Sequence, residues 1–287
     1  MTSVHDIFDR RLLTWRRNRA ALNASAHAFL LERVAEDFVE RLQGINRTFP
    51  VVVNLGAHHG VLGRRLRRIA GVEMLIDMDP AARLLAQCDG LRVEADEELL
   101  PFADRSLDLV VSGLALHLVN DLPGALVQIR RALKPGGLLL AAMLGGATLS
   151  ELRLSLLAAE EEGERGASPR IAPFADIQDV GALAQRAKFA LPVVDAETVS
   201  ATYRDALALM HELRAMGASN VLSARRRAPL RRTTLKGALL HYQQRFGLPN
   251  GRVPATFEII TLTAWAPQES QQPPPVSGGA RSAWPRR

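Results

Sequence analysis

The chain has 287 residues, enough for one large α/β domain or two small ones, and with 47% hydrophobic and 23% charged residues it excludes a disordered or fibrous protein. The net charge of +6 is not a nucleic-acid signature: of 36 basic residues only Lys134, Lys188 and Lys236 are lysines, and the arginines are spread along the chain without interleaved aromatics. Residues 1–20 set Ile7, Phe8, Leu12, Leu13 and Trp15 among Arg10, Arg11, Arg16, Arg17 and Arg19, a basic amphipathic arm. Residues 23–43 are helical by period, with Phe29, Leu30, Val34, Phe38, Val39 and Leu42 on one face. Strands at 50–55, 72–77, 90–94, 107–112 and 138–143 then alternate with helices at 60–70, 80–87 and 121–133. Such alternation predicts a parallel sheet covered on both faces. Lys134-Pro135-Gly136-Gly137 closes a helix and launches the next strand. Beyond it lie helices at 148–163 and 176–187, a strand at 191–202, helices at 205–217 and 233–246, and a last strand from Val253 to Trp265. From Pro267 onward Gln, Ser, Pro and Gly dominate, and a disordered tail over 267–287 is expected. The predicted organisation is a helical arm over 1–45, one α/β domain over 46–266 with cap helices at about 204–247, and the tail.

The densest signal runs from Val51 to Phe102. The apolar strand Val51-Val52-Val53-Asn54-Leu55 enters a turn containing Gly56 and Gly60, and a second apolar strand follows with Asp77-Met78-Asp79-Pro80 about twenty residues on. This is the order of a βαβ nucleotide site: glycines let the backbone approach the ligand, and the acid accepts from ribose hydroxyls. The turn is too poor in glycine for a pyrophosphate cradle, which points to a nucleoside without a diphosphate, commonly S-adenosylmethionine (SAM).

The order of elements resembles class I SAM-dependent methyltransferases, which implies a Rossmann-like doubly wound seven-stranded sheet in the order 3-2-1-4-5-7-6, with a helical cap inserted between strands 6 and 7. Leu99-Leu100-Pro101-Phe102, Ser106-Leu107-Asp108-Leu109-Val110 and Leu116-His117 resemble the malonyl-carrier-protein methyltransferases of biotin synthesis. Ile7-Phe8-Asp9-Arg10, the run Ala142 to Arg153, Ser168-Pro169-Arg170, Pro173-Phe174-Ala175-Asp176, Met216-Gly217-Ala218-Ser219-Asn220 and Pro254-Ala255-Thr256-Phe257 resemble the family of respiratory complex I assembly factor 5, over most of the chain up to Trp265. Mitochondrial members of that family are credited with hydroxylating an arginine of a complex I subunit.

The resemblance implies a cofactor site formed by Asn54, Gly56, His58, Gly60, Asp77, Met78, Asp96, Glu97 and Ser112. Asp77 matches the acid that holds the ribose hydroxyls and Asp96 the residue at the adenine amino group. Asp79 is the fallback for Asp77, although the residues themselves read as a helix N-cap ahead of Pro80. Two positions depart from the family pattern. Asn54 stands where an acid is usual and cannot pair with the ammonium of SAM, and His58 replaces the middle glycine, where an imidazole would crowd the ligand. His117, just past the fourth strand, is the candidate general base, because histidine titrates near neutral pH. No metal site is expected: His58 and His59 are adjacent in a tight turn and should diverge, without an H-x-[DE] partner. Glu160-Glu161-Glu162 with Glu164 offers negative charge to an incoming arginine, or else is a solvated helix end.

The expected function is therefore a SAM-binding enzyme that modifies a side chain of a protein, a complex I subunit in the family's setting, by methylation or hydroxylation. The alternatives are a non-catalytic assembly chaperone that has lost the cofactor, supported by Asn54 and His58, and a small carboxyl O-methyltransferase. Cys88 is the only cysteine, so no intrachain disulfide can form. No apolar run approaches the roughly 18 residues of a transmembrane helix. The N-terminus lacks an apolar signal core, and Asp6 and Asp9 argue against a mitochondrial presequence. A cytoplasmic location is expected, with peripheral contact of the basic arm at the inner face of the membrane left open.

Overall fold

The computed structural model describes residues 6–163 and 166–268, so the predicted tail beyond Gln268 lies outside the described residues. Seven strands form one sheet in the order β3-β2-β1-β4-β5-β7-β6. They are β1 (Val51–Leu55), β2 (Met74–Met78), β3 (Leu91–Val93), β4 (Leu107–Gly113), β5 (Leu133–Leu144), β6 (Ala190–Tyr203) and β7 (Val253–Trp265). β1 to β5 run parallel and β7 lies antiparallel between β5 and β6, as the resemblance implied.

The central strands are mostly apolar because both faces are covered. On β5, Leu138, Leu140 and Ala142 join a core with α2 (Phe29–Gln43), α6 (Ser150–Gly163), α8 (Ala206–Ala215) and α9 (Arg232–Phe246). Leu139, Ala141 and Met143 alternate with them and face the second core, with Leu126 and Ile129 of α5 (Leu122–Ala132) and Val180 and Ala184 of α7 (Ile177–Arg186). Of the predicted helical arm, α2 is integral to the domain, since its Leu30, Val34, Phe38 and Leu42 belong to the core that packs on β1 and β4. The cap helices α8 and α9 sit between β6 and β7 in the chain, and α9 lies on α6, where His241 Nδ1 is 3.1 Å from Ser155 Oγ.

Three local expectations change. β5 begins at Leu133, so Lys134 to Gly137 form its irregular start rather than a separate turn; Gly136 takes φ +72° there, and Lys134 Nζ pairs with Asp108 at 2.9 Å. The helix α4 (Ala82–Leu85) has Ala81 as its N-cap, so Pro80 is not its first residue and Asp79 does not cap it. The helix α3 (Val61–Leu66) is shorter than the predicted 60–70.

Candidate functional site

The glycine turn is built by left-handed backbone. Gly56 follows β1 at φ +68°, and a Cβ there would overlap the methyl of Ala115 and stand 3.3 Å from Glu97 Oε1. Gly60, at φ +81°, precedes α3. His58 lies between them at φ +51°, a region that is strained for a side chain by about 1–3 kcal/mol. Two bonds hold it: its N–H donates to Asp79 Oδ2 at 2.9 Å, and Nε2 lies 3.0 Å from the Gly113 carbonyl. The ring therefore turns onto β4 as a neutral imidazole with its proton on Nε2. Burial, with the nearby positive charge of Arg17, holds its pKa well below the ordinary histidine value. His59 lines the same small cavity as His58, with its buried Nε2 unpartnered. Among the described residues no group of three or more His, Cys, Asp and Glu comes together as a metal site.

The acids sort differently from the expectation. Asp77 is within β2, fully buried, with Oδ1 accepting from Asn54 Nδ2 at 2.8 Å and Oδ2 pairing with Arg67 at 2.9 Å. A Cβ on Gly63 of α3 would press against both carboxylate oxygens, so the group is sealed beneath that helix. Burial raises its pKa against the pull of Asn54 and Arg67. Among the described residues, Asp77 lines none of the cavities, and Asn54 reaches only a very small one beside Gly56 and His58. Asp79, just past the end of β2, accepts from His58 N at 2.9 Å and from Ala81 N at 2.8 Å and so faces the glycine turn, which makes it the alternative to Asp77 two residues on. Met78 is fully buried in the second core, and its carbonyl accepts from Ala57 N at 2.9 Å. Glu97 is fully buried beside Asp79, and Asp96 lies half-exposed next to it. Burial and the neighbouring Glu97 push Asp79 up to about 6, against the opposing pull of Arg17.

Two arginines from α1 (Arg10–Ala20) answer these carboxylates. Arg10 reaches Asp96 at 2.7 Å and also binds Glu97, while Arg17 Nη1 stands 3.5 Å from Glu97 and 3.8 Å from Asp79. The basic arm therefore closes over the mouth with its charges as well as docking Leu13. It is pinned at its start, where Phe8 N donates to Asn120 at 2.8 Å and Asp9 N to the Val221 carbonyl at 2.8 Å. The remaining space is small. One cavity of about 90 Å³ is lined by Arg17, His58, His117 and Leu144, and another of about 10 Å³ by Asn54, Gly56 and His58. Small-molecule sites usually run to roughly 300–1,000 Å³. The donor set of the turn and its three acids fits a nucleoside, whereas the space is held by Arg10, Arg17 and His58.

Next to this mouth lies an apolar chamber of about 270 Å³ that sequence reasoning missed, because its walls come from distant segments. His117 stands at the boundary and lines both spaces. Burial and the charge of Arg17 lower its pKa to about 3, so it is neutral at physiological pH and does not suit the expected role of a base titrating near neutrality. Its Nδ1 is buried without a partner, and its ring meets Phe174 edge-on at 5.4 Å. Ser112, fully buried in β4, has an unpartnered Oγ and lines neither space. The negative rim is also revised. Glu160 is fully buried, accepting from Arg170 Nε and Ser168 N at 2.8 Å each, which leaves Glu161 and Glu162 exposed; Glu164 lies outside the described residues.

Comparison with known proteins agrees with this architecture. A family described as a methyltransferase domain matches residues 53–141. A zebrafish (Danio rerio) protein, "Arginine-hydroxylase NDUFAF5, mitochondrial", is 37% identical over 286 residues, covering 96% of this chain and 87% of that protein. Its human counterpart is 39% identical over 282 residues, covering 96% and 81%. A malonyl-[acyl-carrier protein] O-methyltransferase of Gallionella capsiferriformans is 32% identical, covering 91% and 92%. Among solved structures, the YcgJ protein of Bacillus subtilis aligns with a TM-score of 0.57 at 14% identity, covering 82% of this chain and 99% of that one, which speaks for the fold. The cytoplasmic location expected from the sequence is overturned, since the NDUFAF5 relatives are named as mitochondrial and point to that compartment instead. No helix among the described residues is long and apolar enough to cross a membrane.

Proposed function

The chain belongs to the NDUFAF5 arginine-hydroxylase family of class I SAM-dependent methyltransferase-like enzymes, and from that premise we propose that it binds SAM and modifies an arginine side chain of a protein during assembly of respiratory complex I. The observation that carries the reading is the pair of fully buried carboxylates, Asp79 and Glu97, beside a left-handed glycine turn at the ends of β1 and β2. The chain's own Arg10 and Arg17 satisfy these carboxylates, and because stripping a buried carboxylate of its partners is costly, an occupant that displaces the arginines has to bring cationic or hydroxyl groups of its own. In the proposed complex Asp79 accepts from the ribose hydroxyls, Asp96 meets the adenine amino group, and the Gly56–Gly60 turn passes beneath the methionine moiety. When bound, SAM supplies an electrophilic methyl group. The chain's contribution is then mostly position: α1 and the cap exclude water and hold the acceptor in line. His117 is too weak a base to deprotonate a guanidinium at neutral pH.

Arg10 and Arg17 have to leave the carboxylates before a nucleoside enters, so α1 acts as a displaceable strap. The same occlusion, with His58 in the turn, favours a second reading, a non-catalytic assembly chaperone. Calorimetric titration of SAM into the wild type and into an Arg10→Met, Arg17→Met double variant separates the two. Heat that is weak in the wild type and strong in the variant supports the enzyme; no heat in either supports the chaperone. Mass spectrometry of complex I from a strain lacking the chain then reads the acceptor, since loss of one oxygen or one methyl from an arginine identifies the modification.

A further inference from the structure

The chamber beside His117 shares α1 and the cap helix α8 with the reading above, but its chemistry is unlike that of the carboxylate mouth. Its walls are Leu13 of α1, Leu152 and Leu156 of α6, Met210 and Leu213 of α8, and Phe257 of β7. Arg170 is the one charged residue lining it, and that guanidinium is turned onto the buried Glu160. A ligand cation placed here would lose its hydration without a carboxylate to replace it, because the Glu160 oxygens are already taken by Arg170 and Ser168 N. A ligand carboxylate would meet an arginine that is already paired. At one end the buried Nδ1 of His117 has no hydrogen-bond partner in an otherwise apolar setting. A neutral imidazole nitrogen can accept from a hydroxyl or, in the other tautomer, donate to a carbonyl. The volume of about 270 Å³ equals roughly nine water volumes, or a chain of about ten carbons.

We propose that this chamber is a binding site for a neutral aliphatic chain of about ten carbons bearing one hydroxyl or carbonyl oxygen, with His117 Nδ1 bonding that oxygen and the leucine and methionine side chains of α6 and α8 enclosing the chain. The site stands independently of SAM, so its test uses the full chain without cofactor.

Calorimetric titration with straight-chain primary alcohols from hexanol to dodecanol reads the chamber's depth. Each added methylene tightens binding about fourfold while the chain is being buried, and the gain stops near decanol, where the chamber is full. His117→Phe weakens decanol binding about 2- to 12-fold by removing the single polar contact. Met210→Trp and, separately, Leu213→Phe fill the space and abolish binding, with thermal melts reporting that each variant is folded. Should a filling variant fail to fold, a photoreactive decanol analogue carrying a diazirine is cross-linked to the wild type; label on residues 149–156 or 210–222 supports the site. Label confined elsewhere overturns it, as does decanol binding that both folded filling variants leave intact. Decanoate binding more tightly than decanol, or an arginine peptide displacing decanol, overturns the neutral-ligand assignment. Loss of SAM binding alone bears only on the enzyme reading.

Discussion

Arg17→Met isolates the strap. Methionine keeps most of the apolar stem that packs beneath α1 while removing the guanidinium. In the wild type that guanidinium stands 3.5 Å from Glu97 and 3.8 Å from Asp79, two side chains with no solvent exposure. A hydrogen bond to a charged group contributes about 1.5–3 kcal/mol, equivalent to a factor of about 10 to 150 in an equilibrium constant. Because the Arg17 contacts are long, the lower end applies. SAM has to displace them in the wild type and not in the variant, so its dissociation constant should fall about tenfold on substitution. The variant should also be less stable without ligand, by about 1.5 kcal/mol, because two buried carboxylates lose a long contact while Arg10 still pairs Glu97 and backbone N–H groups still hold Asp79. Titration calorimetry gives the first quantity and urea denaturation with and without SAM the second; SAM should raise the midpoint of the variant more than that of the wild type. Unchanged or weaker SAM affinity in a folded variant would refute the strap and make Arg17 part of the binding surface.

The choice between Asp77 and Asp79 is checked by paired variants in the Arg17→Met background. Asp79→Asn should weaken SAM at least tenfold, whereas Asp77→Asn should leave affinity within about twofold and lower stability by stranding Arg67. Gly56→Ala should destabilise by more than the roughly 1–3 kcal/mol of backbone strain, because its methyl collides with Ala115; Gly251→Ala, at φ +78° with open space around it, should show the strain alone. The pH dependence of stability has a defined sign at His117. With a folded pKa of about 3 against about 6.5 unfolded, the unfolded chain binds more protons between those values, so stability is fully present above pH 6.5 and falls as pH drops toward 3. The ceiling is about 5 kcal/mol, reduced by partial exposure of the ring, and His117→Phe should flatten that limb in urea melts. Asp79, raised to about 6, works in the opposite direction over the same range, which is why the slope has to be compared with wild type.

Local pattern made much of the fold legible. Apolar runs such as Val51-Val52-Val53 and Leu138-Leu139-Leu140 mark strands buried on both faces, and Asp176 caps α7 with Asp179 in a reciprocal box that lies within four residues. The turn through Gly56 and Gly60 was equally visible, because left-handed backbone draws on residue type rather than on distant contacts. The site acids were only half legible. Asp77 and Asp79 share a pleat parity, and no local rule says which lies inside β2 and which past its end; the helix above Gly63 decides that.

What the tertiary structure alone decided depends on residues far apart in the chain. Arg17 meets Glu97 across 80 positions, the Glu160 carboxylate turns inward because Arg170 folds back on it, and the apolar chamber draws its walls from α1, α6, α8 and β7. The sequence by itself determined a parallel α/β sheet with a nucleoside-type turn, because periodicity and glycine chemistry act over a few residues. Whether that turn stands open or is closed by the chain's own arginines, and whether His117 is a base or a neutral hydrogen-bonding group, follows from burial and long-range charge, which exist only once the chain has folded.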